Sequence, residues 1–383
     1  MEWKNCKIED APIAIIDGDR GKNYPKQGDF LNIGHCLFLN ASNVTKKGFD
    51  FNNCQFISED KDEKLRKGKL FQHDIVMTTR GTLGNVAYYH EKIGYEHIRI
   101  NSGMVIFRCD RNKLLPNFFY LFICSPLFIN QVNSLRSGVA QPQLPIKDIK
   151  TIKIKIPPLP IQQKIADILS KYDDLIENNR RRIELLERSA RLLYKEWFVR
   201  LRFPGHEHTP IIDGIPEGWE KKTLGDVGFL NYGKTLKQEN RISGNYPVFG
   251  SSGIIGTHNR FLVKGPGIII GRKGNIGSVY YANDDYYPID TAYYINASST
   301  SFYLYHALVN TSFINTDAAV PGLNRDVAHK TRLLMPDSTL KTLFEKFATP
   351  IYKQIFLLKK QNQKLKQARD ILLPKLMNGE IEV

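Results

Sequence analysis

The chain contains its own plan twice. "EWKNCKIEDA" near the start returns as "GWEKKTLGDV", so that Trp3 matches Trp219, Ile8 matches Leu224 and Asp10 matches Asp226. "DIVMTTRGTLGNVAYY" returns as "GIIIGRKGNIGSVYY", matching Arg80 to Lys273, Gly81 to Gly274, Gly84 to Gly277 and Val86 to Val279. "QLPIKDIKTIKIKIPPLP" returns as "GLNRDVAHKTRLLMPDST", matching Leu144 to Leu323 and Pro157 to Pro336. Finally "LLERSARLLYKEW" resembles "KLKQARDILLPKL". The offset shrinks from 216 through 193 to 179, so the first copy is the longer. Self-similarity at two copies means a pseudo-dimer, not a stacked array, which needs three or more repeats.

Each copy reads as a globule followed by a helix. The globules, 1–158 and 218–336, are rich in short apolar runs bounded by Gly, Asn and Ser, the pattern of strands entering turns. "KLFQHDIVMTT" and "FLVKGPGIII" are predicted strands; "PNFFYLFICSPLFINQV" is predicted to be one buried helix, replaced by "STSFYLYHALVNTSFI" in the second copy. The fold class is therefore mixed α/β, of α+β character. From Ile161, seam positions, most of them apolar, recur in steps near 3.5: Ile165, Ile168, Tyr172, Leu175, Asn179, Arg182, Leu186, Ala190, Leu193, Trp197. The second copy has Phe344, Phe347, Ile351, Ile355, Leu358, Asn362, Leu365, Arg369, Leu372 and Leu376. Sustained heptads imply coiled-coil seams, each helix about 60 Å long for ~40 residues. Asn179 and Asn362 are polar seam positions of the kind that fix register, and Pro350 is expected to kink or interrupt its helix. The organisation expected is thus a first globule (1–158), a long helix (159–203), a linker (204–217), a second globule (218–336) and a second long helix with a tail (337–383). The helices are expected to run antiparallel and separate the globules, turning the repeat into a pseudo-two-fold axis.

"GFLNYGKT", Gly228–Thr235, satisfies the phosphate-loop pattern G-x-x-x-x-G-K-[ST]. The first copy has "PIAIIDGDRG" in its place, and the residues after Thr235 read as loop where a helix is required. The match is accordingly read as a coincidence. "GRKGNIG" has the wrong glycine spacing for a dinucleotide fingerprint. Five cysteines stand far apart without a C-x-x-C, so neither a disulfide framework nor a zinc site is indicated, and His206 and His208 lack further ligands. No nucleophile, metalloprotease or amino-methyltransferase motif occurs. The chain is read as binding without catalysing, with no cofactor or metal of its own.

What it binds is suggested by a net charge of +15 and a pI near 9.4. Such a balance favours a polyanion, above all nucleic acid. Without a signal core or an uninterrupted apolar span, no membrane role and a cytoplasmic location are expected. DNA contact needs Lys and Arg at phosphates and Arg, Lys, Asn, Gln, Ser or Thr at base edges. The candidates are Arg80, Thr82 and Asn85 in one loop and Arg272, Lys273 and Asn275 in its repeat. To these are added Gln141 and Gln143, Asn324 and Arg325, and Ser251, Ser252 and His258.

In this order, and duplicated, these segments resemble the specificity (S) subunit of type I restriction–modification enzymes. The telling pieces are "GWEKKTLGDV", "YPVFGSSGIIGTHNRF", "IIIGRKGNIGSVYY", "IPPLPIQQKIADILSKYDDLIENNRRRIELLE" and "LLPKLMNGEIEV". Gln162 and Gln163 stand where the family often has Glu-Gln. The resemblance implies two target recognition domains reading the halves of a split sequence in double-stranded DNA. It implies helices that dock methyltransferase (M) subunits carrying S-adenosylmethionine, and motor-nuclease (R) subunits using ATP and Mg²⁺. Leu186, Leu193, Leu365 and Leu372 are the corresponding candidates for partner binding. The alternatives are a specificity subunit of a related restriction system, an anti-restriction or scaffold protein, and a stand-alone ATPase.

Overall fold

The structure is a computed structural model and describes residues 3–135, 143–314 and 322–383. The chain forms two compact units, Met1–Ile176 with Gln363–Val383, and Glu177–Asn362. The division falls inside both long helices, Leu159–Tyr194 and Ser338–Asn378.

In the first unit a four-stranded antiparallel sheet runs in the order Ile13–Asp17, Met104–Cys109, Ile75–Thr78, Val86–Tyr88. Side chains alternate across its central strands, as strand geometry demands. Ile75, Met77, Val105 and Phe107 face a core with Phe118, Phe119, Ile165, Leu169, Leu373 and Leu376, while Val76, Met104 and Ile106 face Leu37, Leu39 and Ile98. The second core is closed by a smaller sheet in the order Phe56–Ile57, Cys36–Leu39, Ile98–Ile100. The "PNFFYLFICSPLFINQV" stretch is two helices, Pro116–Cys124 and Pro126–Leu135, bent by 61°, not one. Pro126 has no N–H to continue the first helix, and the Ser125 hydroxyl donates to the Phe122 carbonyl at 2.6 Å. Among the described residues no single helix is long and apolar enough to cross a membrane.

The second unit repeats the arrangement. Its large sheet has the order Asn231–Tyr232, Ala292–Ile295, Gly267–Gly271, Val279–Ala282, and its small one Gly253–His258, Tyr246–Gly250, Tyr287–Pro288. The equivalence extends to register. Lys4 pairs with Ile156 and Glu220 with Met335; the Ile8 N–H donates to Ile152 and the Leu224 N–H to Thr331. These are the offsets of 216 and 179 that the sequence shows.

Within each unit the long-helix segments pack antiparallel. Arg369 and Asp173 pair in the first unit, and Lys359 reaches Glu187 at 2.9 Å in the second. The expected polar layer forms: the Asn179 amide donates to Asn362 Oδ1 at 2.9 Å and to Gln361 Oε1 at 3.1 Å. Three expected seam positions do not hold. Leu175 and Arg182 are exposed and Ile176 and Ile183 turn inward instead; Phe347 is half exposed and Ala348 is buried. The inward positions step by a little more than the 3.5 residues of a strict heptad, so a strict repeat drifts off the face. Pro350 does not interrupt the second helix. It is exposed, as is Lys346 one turn earlier, so the carbonyl that loses its helical donor is open to water.

The first helix ends in a π-turn, Lys195–Val199, that aims Trp197 and Phe198 into an aromatic core with Tyr194, Tyr303 and Phe344. His306 lies in this core, its Nε2 2.9 Å from the Tyr352 hydroxyl and its ring stacked on Tyr194. Burial, and then Arg191, push its pKa down from 6.5 to about 4. The imidazole is therefore neutral when folded. Below pH 6.5 the unfolded chain takes up a proton there that the folded chain does not accept until about pH 4. Stability from this group is complete above that window and falls with pH through it, by on the order of 3 kcal/mol. The urea midpoint should fall between pH 6.5 and 4 less steeply in His306→Gln than in the wild type; equal slopes would place the acid sensitivity elsewhere.

Candidate nucleic-acid interface

The two glycine loops have the same backbone. After Ile75–Thr78, the Thr78 N–H donates to Asn85, Gly84 to Thr78, and Leu83 to Gly81. After Gly267–Gly271, Gly271 donates to Ser278, Gly277 to Gly271, and Ile276 to Gly274. Gly81 and Gly274 have φ of +72° and +81°, and Gly84 and Gly277 of +80° and +68°, values that side chains with a Cβ rarely adopt. Thr78 Oγ1 ties the first loop to the Thr82 carbonyl; Ser278 Oγ ties the second to the carbonyls of Asn275 and Ser251. Each loop is braced by a later segment. Arg80 bridges to Gln143 and Lys273 to Gly322, while the Leu144 N–H donates to Thr79 and the Leu323 N–H to Arg272. The frame therefore fixes where the exposed side chains stand.

Arg80, Thr82 and Gln143 are exposed together on the first frame. Asn85 is half-buried and its amide donates to the Val44 carbonyl at 2.9 Å, so it braces the loop from within. Gln141 lies outside the described residues. On the second frame Lys273, Asn275 and Ser252 are exposed, and Ser251 holds the adjacent turn, its N–H 3.4 Å from Thr291 Oγ1. Asn324 caps a short helix, accepting from the N–H groups of Asp326 and Val327. His258 is buried at the far end of its strand from the Ser251–Ser252 turn, and its Nδ1 accepts the Ile242 N–H at 3.2 Å. It is a bracing residue, which its place in a polar run does not reveal.

Arg272 and Arg325 are oriented by aromatic rings. The Arg272 guanidinium lies 5.0 Å from the Tyr232 ring centre and 5.7 Å from that of Tyr293, and donates to the Asp290 carbonyl at 3.0 Å. Arg325 lies 4.9 Å from Tyr232 and 5.4 Å from Phe229. Tyr232, half exposed between two guanidiniums, belongs to "GFLNYGKT". That segment runs from the end of a short helix into the strand Asn231–Tyr232, and Lys234–Thr235 open no α-helix: the chain continues as loop to a single 3-10 turn, Gln238–Asn240. At Gly233 a Cβ would lie 2.1 Å from the Ile289 carbonyl oxygen, so the glycine is needed for chain packing. Phosphate-loop geometry is not formed there.

The four leucines proposed for partners face inward to varying degrees. Leu186 and Leu193 pack on the aromatic core of the second unit, Leu372 packs on the core of the first, and Leu365 is half-buried. Other apolar side chains of the helices are open, among them Leu185, Leu192, Phe347 and Leu357 in the second unit and Leu175 and Ile371 in the first. Leu185 and Leu192 are seven residues apart and so share a helix face.

The family model for the type I restriction modification DNA specificity domain matches residues 2–188 and again 216–367. The type I restriction enzyme HindI specificity subunit of Haemophilus influenzae is 22% identical, over 99% of this chain and all of that protein. The MjaIX specificity subunit of Methanocaldococcus jannaschii is 25% identical, over 81% of this chain and 78% of its own. The crystal structure of a type I restriction–modification S subunit from M. genitalium superposes with a TM-score of 0.60 at 18% identity, covering 98% of this chain and 96% of that one. With the duplicated loops now seen as one backbone frame used twice, the chain belongs to the type I restriction–modification DNA specificity family and carries its domain in two copies.

Proposed function

We propose that this chain is the sequence-reading subunit of a type I restriction–modification complex, each unit recognising one half of a bipartite target in double-stranded DNA. The observation that carries this is the shared loop frame with unlike exposed side chains: Arg80, Thr82 and Gln143 on one copy, Lys273, Asn275 and Ser252 on the other. A common frame with different base-facing groups is what two half-sites of different sequence require. Lys suits the O6 and N7 of guanine, and Asn the N6 and N7 of adenine. The net charge of +15 supports phosphate contact beside them. The chain contributes recognition and no catalytic group. Methyltransferase subunits supply S-adenosylmethionine, and motor-nuclease subunits ATP and Mg²⁺. Exposed Leu185 and Leu192 favour the long helices as the docking face.

Adenine methylation mapped genome-wide with and without the gene tests this reading. A bipartite methylated motif that vanishes on deletion is expected. Lys273→Ala with Asn275→Ala should weaken discrimination by about 1–3 kcal/mol per lost base contact, in one half of the motif only. Arg80→Ala with Thr82→Ala should affect only the other half. Equal changes at both halves would make the loops general phosphate clamps.

A further inference from the structure

The shared frame allows the two copies to be compared position by position around the loops. Thr78 pairs with Met104 and Gly271 with Ala292, so Ser102 and Asp290 are equivalent. Asp17 pairs with Val105 and Tyr232 with Tyr293, so Asp17 and Tyr232 are equivalent. The equivalence is checked by the intervening bond: the Thr79 N–H donates to Gly103 and the Arg272 N–H to Thr291.

Both units then carry a guanidinium on the same carbonyl, delivered from different points of the chain. In the second unit Arg272 donates to the Asp290 carbonyl at 3.0 Å. Its equivalent in the first is Thr79, buried, which cannot reach out. Yet Arg20 donates to the Ser102 carbonyl there at 3.3 Å, from a residue that sequence alignment does not match to Arg272. The surroundings differ in charge. Arg20 is paired with Asp17 at 3.1 Å. At the equivalent position the second unit has Tyr232, whose ring holds Arg272 and a second guanidinium, Arg325. Arg325 has its Nε buried without a hydrogen bond among the described residues, the exposed Asp326 carboxylate standing 3.8 Å away. One copy thus presents a single arginine paired closely with a carboxylate, the other two arginines on an aromatic face with one carboxylate, Asp326, at the longer distance of 3.8 Å.

We propose that this carbonyl marks a contact with the DNA backbone in both units, made by Arg20 in the first and by Arg272 with Arg325 in the second. The site is built so that the second unit grips its half-site with more charge. This rests on the reading of the chain as a DNA-binding subunit and names which side chains hold phosphate, not bases. Arg272 is held by both a ring and a carbonyl, Arg20 by a carbonyl and Arg325 by two rings, so each guanidinium has its orientation set in advance, and its remaining N–H groups suit two phosphate oxygens. Such contacts set position and affinity but carry no sequence information.

The test uses the full chain assembled with its methyltransferase subunits and a duplex carrying the mapped motif. Binding is measured across a series of salt concentrations, with thermal melting to confirm folding. Arg325→Ala should lower affinity roughly tenfold at low salt. It should also reduce the slope of log affinity against log salt by about 0.9. Arg325→Lys keeps the charge and should restore the slope. Asp17→Asn should raise affinity in the same assay by freeing Arg20. Preference between motif and half-site mutants should not change in any of these variants. An unchanged slope in Arg325→Ala, or a shift in base preference at either half, overturns the assignment. Failure of the wild-type complex to bind the duplex would instead overturn the DNA-binding reading itself, and this proposal with it.

Discussion

Phe344→Ala is expected to cost about 3–5 kcal/mol, the usual range for emptying a buried phenylalanine site. Phe344 is fully buried, with ring centres of Phe198, Trp197 and Tyr194 at 5.1, 6.0 and 6.1 Å. It joins the second helix to the π-turn that ends the first, so the cavity opens where two aromatic-rich turns interlock and neither can collapse without losing the other. A cost of this size is a large share of a typical domain's stability. Urea unfolding should show it as a lowered midpoint, and methyltransferase capture should fall with it. Leu185→Glu with Leu192→Glu makes the contrast. Both side chains are exposed, so the melt should move little while capture is lost. If Phe344→Ala melted like the wild type, the aromatic core would not be holding the helix ends. If the leucine pair left capture intact, the docking face would lie elsewhere.

Lengthening both long helices by four residues should redirect methylation to a new target. The insertions belong between Ile176 and Glu177 and between Asn362 and Gln363. There they leave Arg369 with Asp173 on one side and Asn179 with Asn362 on the other. An insertion just after Trp197 would instead split Trp197 from Phe198 inside the aromatic core. Four residues add about 6 Å and turn a helix by about 40° beyond one full turn. Two base pairs add about 7 Å and turn the duplex by about 70°. The spacer should therefore grow by roughly two base pairs, the half-site sequences staying as they were because the loops are untouched. The original motif should be methylated at a small fraction of its former level. Insertion in one helix only would put the Asp173–Arg369 pair out of register with the Asn179–Asn362 layer, so that two continuous helices could not keep both, and should give little methylation of either target. Unchanged spacing with full activity would show that the helices do not set the distance.

The duplication and the glycine loops were legible in the sequence; the strand bridges that brace the loops, Arg80 with Gln143 and Lys273 with Gly322, were not. Glycines at positive φ tolerate little change, so Gly81, Gly84, Gly274 and Gly277 stand out between otherwise unlike copies. The polar layer at Asn179 was legible because amides are rare in an apolar seam. Which neighbour turns inward was not: Leu175 lies beside Ile176, and Phe347 beside Ala348, and periodicity alone does not choose between adjacent apolar residues. His258 and Asn85 passed as surface residues because their partners, Ile242 and Val44, are distant in sequence or carry only backbone groups. The aromatic seat of Arg325 needed Tyr232, more than ninety residues away, to come beside it.

In each unit the strand that begins the globule pairs with the strand that precedes the long helix: Lys4–Lys7 with Lys153–Ile156, and Glu220–Thr223 with Arg332–Met335. The chain thus enters and leaves each globule through one two-stranded clasp. The two copies already differ in length between these strands, so an insert of another length is accommodated provided the clasp and the apolar face that meets the long helices are kept. A recombination event with both crossovers in those strands would trade one reading head for another while the helices stayed in place. New target sequences become reachable in a single genetic step, with no need to accumulate point changes through nonfunctional intermediates.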